Sequence, residues 1–288
     1  MIRTFLAALA LATLPAAGSS DSFPEADAIV SVGGPITEII YALGEEDRLV
    51  ARDTTSLFPA EALDLPDVGY MRRLSAEGVL SVAPDLIIAR STSGPVEAID
   101  QLREAAVPVV FVEDGFSADA VVASVETVGR AIGAEEAAGV LASKLSAQLS
   151  ELADVTAAMG EGPRVLFVLS TDNGRLNASG RGTGANGIIE LAGGINVMAQ
   201  EYEGYRLLND EAVILAAPDV VVMMDGRGNH SGRAEEVLAL PSLALTPAGE
   251  NGAFVTVPGA ALGFGPRTPD LALDLHRKLA AVVQDKTQ

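Results

Sequence analysis

The sequence predicts an α/β protein of two similar lobes, and three observations carry that reading. The stretch from Glu77 to Ile88 is echoed by Glu211 to Val222 at a constant offset of 134 residues, each copy passing through Ala-Pro-Asp into a β-branched run. Each half opens on an apolar strand pattern that runs through a glycine-rich loop into a helix. Between the halves, residues 134–159 are rich in alanine, leucine, glutamate and lysine and contain no proline. The predicted architecture is two Rossmann-like lobes with parallel central sheets, joined by one long α-helix, with the ligand cleft between the lobes.

The elements follow in chain order. Residues 1–20 have a basic start, an apolar run from Phe5 to Leu14 and small residues up to Ser20, the pattern of a secretory signal peptide. That apolar run is shorter than the ~20 residues a membrane span needs, so no membrane insertion is expected. The first lobe, residues 21–131, begins with a strand at Ala28 to Val32, the loop Gly33-Gly34-Pro35 and a helix from Ile36 to Leu43. Leu49 to Ala51 and Val107 to Val112 supply further strands, and the Glu77 helix is broken by Ala83-Pro84-Asp85 ahead of a buried strand. Residues 132–160 form the connecting helix, ended by Gly160-Glu161-Gly162-Pro163. The second lobe, residues 161–288, repeats the plan with strands at Arg164 to Leu169, Val220 onward and Phe254 to Val257, helices at Ala185 to Leu191 and from Glu211, and a closing helix from Pro269 to Val283. This βα alternation suits parallel sheets covered on both faces.

Composition removes several function classes. The formal net charge of −20 repels nucleic acid and anionic lipid. With no cysteine there are no disulfides, thiolate metal sites, thiol nucleophiles or lipidated cysteine, and two histidines cannot build a three-histidine zinc site. The string Gly180-x-Gly182-x-Gly184-x-x-Gly187 lacks the lysine of a phosphate loop, and no Gly-x-Ser-x-Gly elbow occurs. No enzyme is expected.

In open parallel sheets, ligands bind beyond the carboxyl ends of the strands. The rim of the cleft is therefore expected from Asp53 to Ser56, the Tyr70 segment and Arg90 to Pro95 in one lobe, and from Ser170 to Thr183 and Asp225 to His230 in the other. Within it, Gly69-Tyr70-Met71-Arg72-Arg73-Leu74-Ser75 sets a phenol beside two guanidinium groups. A phenolate is a hard oxygen donor suited to ferric iron, and guanidinium groups pair with carboxylates.

This segment, together with Leu262-Gly263-Phe264-Gly265-Pro266-Arg267-Thr268-Pro269, resembles the haem-binding periplasmic proteins of bacterial ABC importers, a subgroup of the class III substrate-binding proteins. The resemblance implies a periplasmic monomer that captures ferric haem as its transported ligand and docks on an ABC permease with its ATPase, downstream of an outer-membrane haem receptor system. It implies Tyr70 as the iron ligand and Arg72 as a contact for the haem propionates. Adjacent side chains of an extended segment point to opposite sides, so one of Arg72 and Arg73 is expected to face the ligand, and the match to the family's pattern implies Arg72. It also implies that Glu77 and Glu211, one on each lobe, dock on arginines of the permease. Without that partner, each glutamate is explained by its place at a helix start.

Other candidates carry weaker patterns. Tyr205 follows Gly204 and stands ahead of Glu211 much as Tyr70 stands ahead of Glu77; it is a packing residue or a second aromatic at the cleft. Arg175 occupies the place where some family members have a histidine, so five-coordinate iron is expected, with Arg175 near a propionate or exposed. Arg227 and His230, in a Gly-Arg-Gly-Asn-His-Ser-Gly loop, are candidate cleft residues, whereas His276 on the last helix reads as a surface residue. The alternatives are a ferric siderophore or cobalamin binder of the same fold and, from another class, a periplasmic tetrapyrrole-processing enzyme.

Overall fold

The structure, a computed structural model, describes residues 21–225 and 234–285. The expected signal segment and the loop carrying Arg227 and His230 lie outside the described residues. The first lobe contains β1 (Ile29–Val32), α1 (Gly34–Leu43), β2 (Leu49–Arg52), α2 (Ala76–Leu80), β3 (Leu86–Arg90), α3 (Val96–Glu104), β4 (Val109–Val112) and α4 (Ala118–Ile132). The helix α5 (Glu135–Ala157) leads to β5 (Arg164–Asp172), β6 (Arg175–Ser179), α6 (Gly184–Leu191), β7 (Ile195–Asn196), β8 (Tyr205–Leu207), α7 (Asp210–Ala216) and β9 (Val220–Met224). After the undescribed loop come α8 (Ala234–Leu238), α9 (Pro241–Ala244), α10 (Pro247–Glu250), β10 (Phe254–Val257) and α11 (Thr268–Asp285).

The first sheet is wholly parallel, in the order β2-β1-β3-β4. In the second, β10, β9 and β5 are parallel, with the short β7 also parallel to β5, and β6 and β8 add an antiparallel edge. That edge comes from the segment expected to be a loop. Asn173 and Gly174 both take positive φ, 49° and 78°, the geometry of the tight turn that asparagine-glycine favours in hairpins.

Period-2 alternation divides the core. Ile29, Leu86, Ile88, Val165, Phe167, Val220 and Val222 face one continuous cluster that runs through both lobes, while their neighbours Val30, Ile87, Leu166 and Val221 face the outer layers. Each aliphatic side chain so buried contributes about 1.5–3 kcal/mol. Helix α5, about 35 Å long at 1.5 Å per residue, places Ala138, Ala142, Leu145, Leu149 and Leu152 along one stripe into that shared core. Two lobes with one core hinge little.

The repeat has a structural cause. Ala83 and Ala217 both take left-handed backbone, φ 50° and 41°, and turn the chain so that the following aspartate reaches the first strand of its own lobe. Asp85 accepts hydrogen bonds from the Asp27 and Ala28 amides at 3.0 Å, and Asp219 accepts from the Arg164 amide at 2.9 Å. One element departs from expectation. His276 is buried rather than on the surface, its Nδ1 3.0 Å from the Ala192 carbonyl oxygen, because that stripe of α11 packs on α6.

Candidate functional site

Tyr70 stands at the end of a loop that hydrogen bonds pin on every side. Buried Arg52 holds Asp67 at 2.7 Å, Asp67 accepts from the Gly69 amide at 2.8 Å, and the Gly69 carbonyl accepts from the Thr54 amide at 3.0 Å. Gly69 has φ +98°, a conformation open to glycine and costly for other residues, and it aims the next side chain outward. Beyond Tyr70, Met71 and Leu74 are buried against Val68, and the Gly94 backbone bonds to both. Between these anchors the Tyr70 side chain stays 38% exposed.

Met71–Arg73 is a single 3-10 turn, closed by the Arg73 amide on the Tyr70 carbonyl at 2.7 Å. The extended geometry expected for the two arginines is therefore replaced by a turn, and both side chains are exposed. Neither arginine has a carboxylate within ion-pair distance among the described residues.

Tyr205 is partly exposed at the edge of the second sheet. It heads β8 in register with Ser179, follows Gly204 at φ +80°, and is 37% exposed, nearly the value of Tyr70. Burial pushes its pKa up, while hydrogen bonding from Thr183, the positive charge of Arg72 and the Ala185 amide act in the opposite direction. Thr183 caps α6, accepting from the Asn186 amide at 3.1 Å and lying 2.7 Å from the Ser179 hydroxyl.

Below the rim lies a cavity of about 680 Å³ between the lobes, with exposed Leu57 (65%) and Phe58 (44%) on its first-lobe wall. Its cations are already neutralised. Arg90 pairs with Asp114 and donates to the Gly263 carbonyl at 2.9 Å, and Arg267 binds Glu38 through two hydrogen bonds. The Gly263-Phe264-Gly265-Pro266-Arg267 stretch is thus a seam between the lobes, with Phe264 edge-on to Phe116 at 5.4 Å. Gly187 belongs to the same packing, because a Cβ there would lie 2.2 Å from the Phe116 carbonyl oxygen. Asp53, expected at the rim, is instead fully buried and accepts hydrogen bonds from the Gly33 amide, Thr55 and Ser56.

The remaining candidates are separate. Arg175 is exposed just past the Asn173-Gly174 turn, and no contact joins it to Tyr70, Arg72 or Tyr205 among the described residues. Glu77 and Glu211 are each the second residue of a helix, α2 and α7, exposed and capped alike by Ser75 and Asn209. The asparagine-glycine turn was the sequence signal for the second-lobe edge that carries Tyr205.

The family model described as periplasmic binding protein matches residues 29–261. A relative from Bacillus subtilis (strain 168), the uncharacterized ABC transporter substrate-binding lipoprotein YvrC, is 31% identical over 201 residues, 69% of this chain and 63% of its own length. The vitamin B12-binding protein of Yersinia pestis (strain Pestoides F) is 26% identical over 215 residues, 75% of this chain and 73% of its own. Among solved structures, the periplasmic heme-binding protein BhuT in complex with two hemes aligns with a TM-score of 0.84 at 36% identity, covering 88% of this chain and 98% of that one. The periplasmic heme-binding protein RhuT from Roseiflexus sp. RS-1 aligns with a TM-score of 0.84 at 35% identity, covering 89% and 98%.

Proposed function

Because the chain belongs to the periplasmic binding protein family, we propose that it captures ferric haem between its lobes in the periplasm and delivers it to an ABC permease driven by an ATPase. The observation that carries this reading is Tyr70, an exposed phenol on a loop pinned by backbone hydrogen bonds, with two guanidinium groups in the next turn that have no carboxylate partner among the described residues. A phenolate oxygen is an axial donor for ferric haem, and the arginines suit its propionates. The alignment with heme-binding structures at 35–36% identity supports haem over other cargo. Binding is reversible and no bond of the ligand is broken. Glu77 and Glu211, matched in position on the two lobes, are the proposed contacts for a cationic permease surface.

Cobalamin is the second reading, favoured by the vitamin B12-binding relative. A visible-absorption titration of the mature protein with hemin, run beside cyanocobalamin and beside Tyr70→Phe, separates the two. A high-spin ferric spectrum of the tyrosinate type, lost in Tyr70→Phe, is the expected result. Binding of cyanocobalamin alone would replace haem with cobalamin, and an unchanged spectrum in the variant would remove Tyr70 as the ligand.

A further inference from the structure

We propose that Asp67 is a positioning residue for the iron-binding phenol: held by Arg52, its carboxylate fixes the Gly69 peptide and so sets the direction from which Tyr70 meets the metal. The inference rests on the haem reading and adds a residue that acts only through Tyr70.

Backbone geometry carries the first step. Because peptide units are planar, the direction of a side chain follows from the planes on either side of its Cα. Three consecutive planes are held here. The Gly69 amide donates to Asp67 Oδ1 at 2.8 Å, the Gly69 carbonyl accepts from the Thr54 amide at 3.0 Å, and the Tyr70 carbonyl accepts from the Arg73 amide at 2.7 Å. The last two are backbone bonds that no single side chain controls. The first depends on one carboxylate, and Gly69, at φ +98° without a Cβ, has little preference of its own to keep that plane in place.

The pairing of Asp67 carries the second. Arg52, the last residue of β2, is 8% exposed, and its guanidinium donates to the Asp53 carbonyl at 3.2 Å, the Ala62 carbonyl at 3.3 Å and Asp67 Oδ2 at 2.7 Å. Asp67 is its one carboxylate partner among the described residues. The neighbouring strands β1 and β4 end on valine, whereas β2 buries a cation. An ion pair in such a place adds little net stability over apolar packing, and what it supplies is a fixed geometry. The Arg52 amide donates to the Pro66 carbonyl at 2.9 Å and its carbonyl accepts from the Val68 amide at 3.0 Å, so Asp67 is held between two backbone bonds as well.

The second lobe supplies the contrast. Gly204 also has positive φ and also precedes a tyrosine, yet both of its peptide groups bond to backbone: its amide donates to the Arg181 carbonyl at 3.0 Å and its carbonyl accepts from the Gly180 amide at 2.8 Å. No side chain is needed there. The carboxylate is a device of the Tyr70 side alone.

Hemin and iron-free protoporphyrin, which carries the same carboxylates but no metal to ligate, are the probes. Each is titrated into the unmodified protein, Asp67→Ala, Asp67→Asn and Tyr70→Phe, with visible spectra and thermal unfolding recorded. Asp67→Ala should lose about tenfold in hemin affinity, with a weakened tyrosinate-type spectrum, while its affinity for iron-free protoporphyrin stays within about twofold of the unmodified value. Asp67→Asn keeps an oxygen for the Gly69 amide and gives up the charge pair, so its hemin affinity should fall between the two. Equal losses for both porphyrins in Asp67→Ala would overturn the proposal and make Asp67 a general support of the loop. Hemin affinity and spectrum unchanged in Asp67→Ala would overturn it as well. A hemin spectrum unchanged in Tyr70→Phe would remove Tyr70 as the ligand, and the positioning role with it. Asp67→Ala leaves the Arg52 cation buried without its partner; if that variant unfolds, Asp67→Asn carries the same comparison of the two porphyrins.

Discussion

Arg267, one residue ahead of α11, clasps Glu38 of α1 across the two lobes: its Nε and Nη2 lie 2.9 and 2.5 Å from the two carboxylate oxygens. Its guanidinium also lies over the Phe58 ring, 3.9 Å from the centroid. A two-pronged pair in a partly buried seam is stronger than a surface ion pair, and breaking it leaves one charge without its partner. Glu38→Gln should therefore lower the free energy of unfolding by about 2 kcal/mol, read from the urea midpoint. Arg267→Lys keeps the charge but loses the fork and the stacking, so it should fall between the two. A midpoint unmoved by Glu38→Gln would show that the seam is held by Phe264, Phe116 and the shared core alone.

Gly69 offers a way to disturb the proposed iron ligand without touching its atoms. A Cβ at this position meets nothing within 4 Å, so the cost of Gly69→Ala comes from its φ of +98°. That cost is about 1–2 kcal/mol if the backbone holds, and less if it relaxes by turning Tyr70 away. Relaxation is expected, because the Tyr70 side chain, unlike the backbone that carries it, is exposed and held by no hydrogen bond among the described residues. Hemin affinity should drop by at least about tenfold, while the melting temperature changes little. Stability lost with hemin affinity kept would mean that the Tyr70 position is rigid, or that it does not matter.

The fold was legible in the sequence wherever burial is two-sided. Runs such as Leu86–Arg90, Val220–Met224 and Phe254–Val257 announce central strands because both faces must be apolar. The edge strands β6 and β8 were not legible, since Arg175–Ser179 mixes polar and apolar residues and Tyr205–Leu207 is exposed throughout. Tyr70 was readable from its local setting. Tyr205 has no such local setting, because its sequence neighbours Glu203, Arg206 and Leu208 give no paired cations. Asp53 looked like a polar rim residue for a similar reason, as nothing local shows that Gly33, Thr55 and Ser56 close around it.

Glu77 and Glu211 allow transport to be separated from capture. Both lie in the first turn of a helix and both are exposed, so reversal to arginine costs each helix only about 0.5 kcal/mol through the dipole. Hemin affinity of Glu77→Arg with Glu211→Arg should match the unmodified protein within about twofold. ATP-driven uptake by the partner permease in proteoliposomes should fall by at least about tenfold if two attractive contacts become repulsive. Uptake at the unmodified rate would move the docking surface elsewhere on the lobes.

Tyr202 sets the alkaline limit of the second lobe. It is buried, donates to the Ala178 carbonyl oxygen at 3.0 Å, and its pKa is pushed up from 10.0 to about 12, chiefly by burial and partly offset by Arg206. Between those two values the unfolded chain has lost the phenol proton and the folded chain still holds it. The folded state then binds more protons, so stability falls as pH rises. The contribution is complete below pH 10 and disappears by about pH 12, amounting to roughly 3 kcal/mol across the window. Tyr41 and Tyr205, also shifted upward, act in the same direction. Tyr202→Phe isolates the effect: it should cost about 1 kcal/mol near neutrality through the lost hydrogen bond, and it should flatten the alkaline decline. Urea unfolding of both proteins near neutrality and at about pH 11 measures the difference. Parallel declines in the two would assign the alkaline loss to other groups and leave Tyr202 with only its hydrogen bond to Ala178.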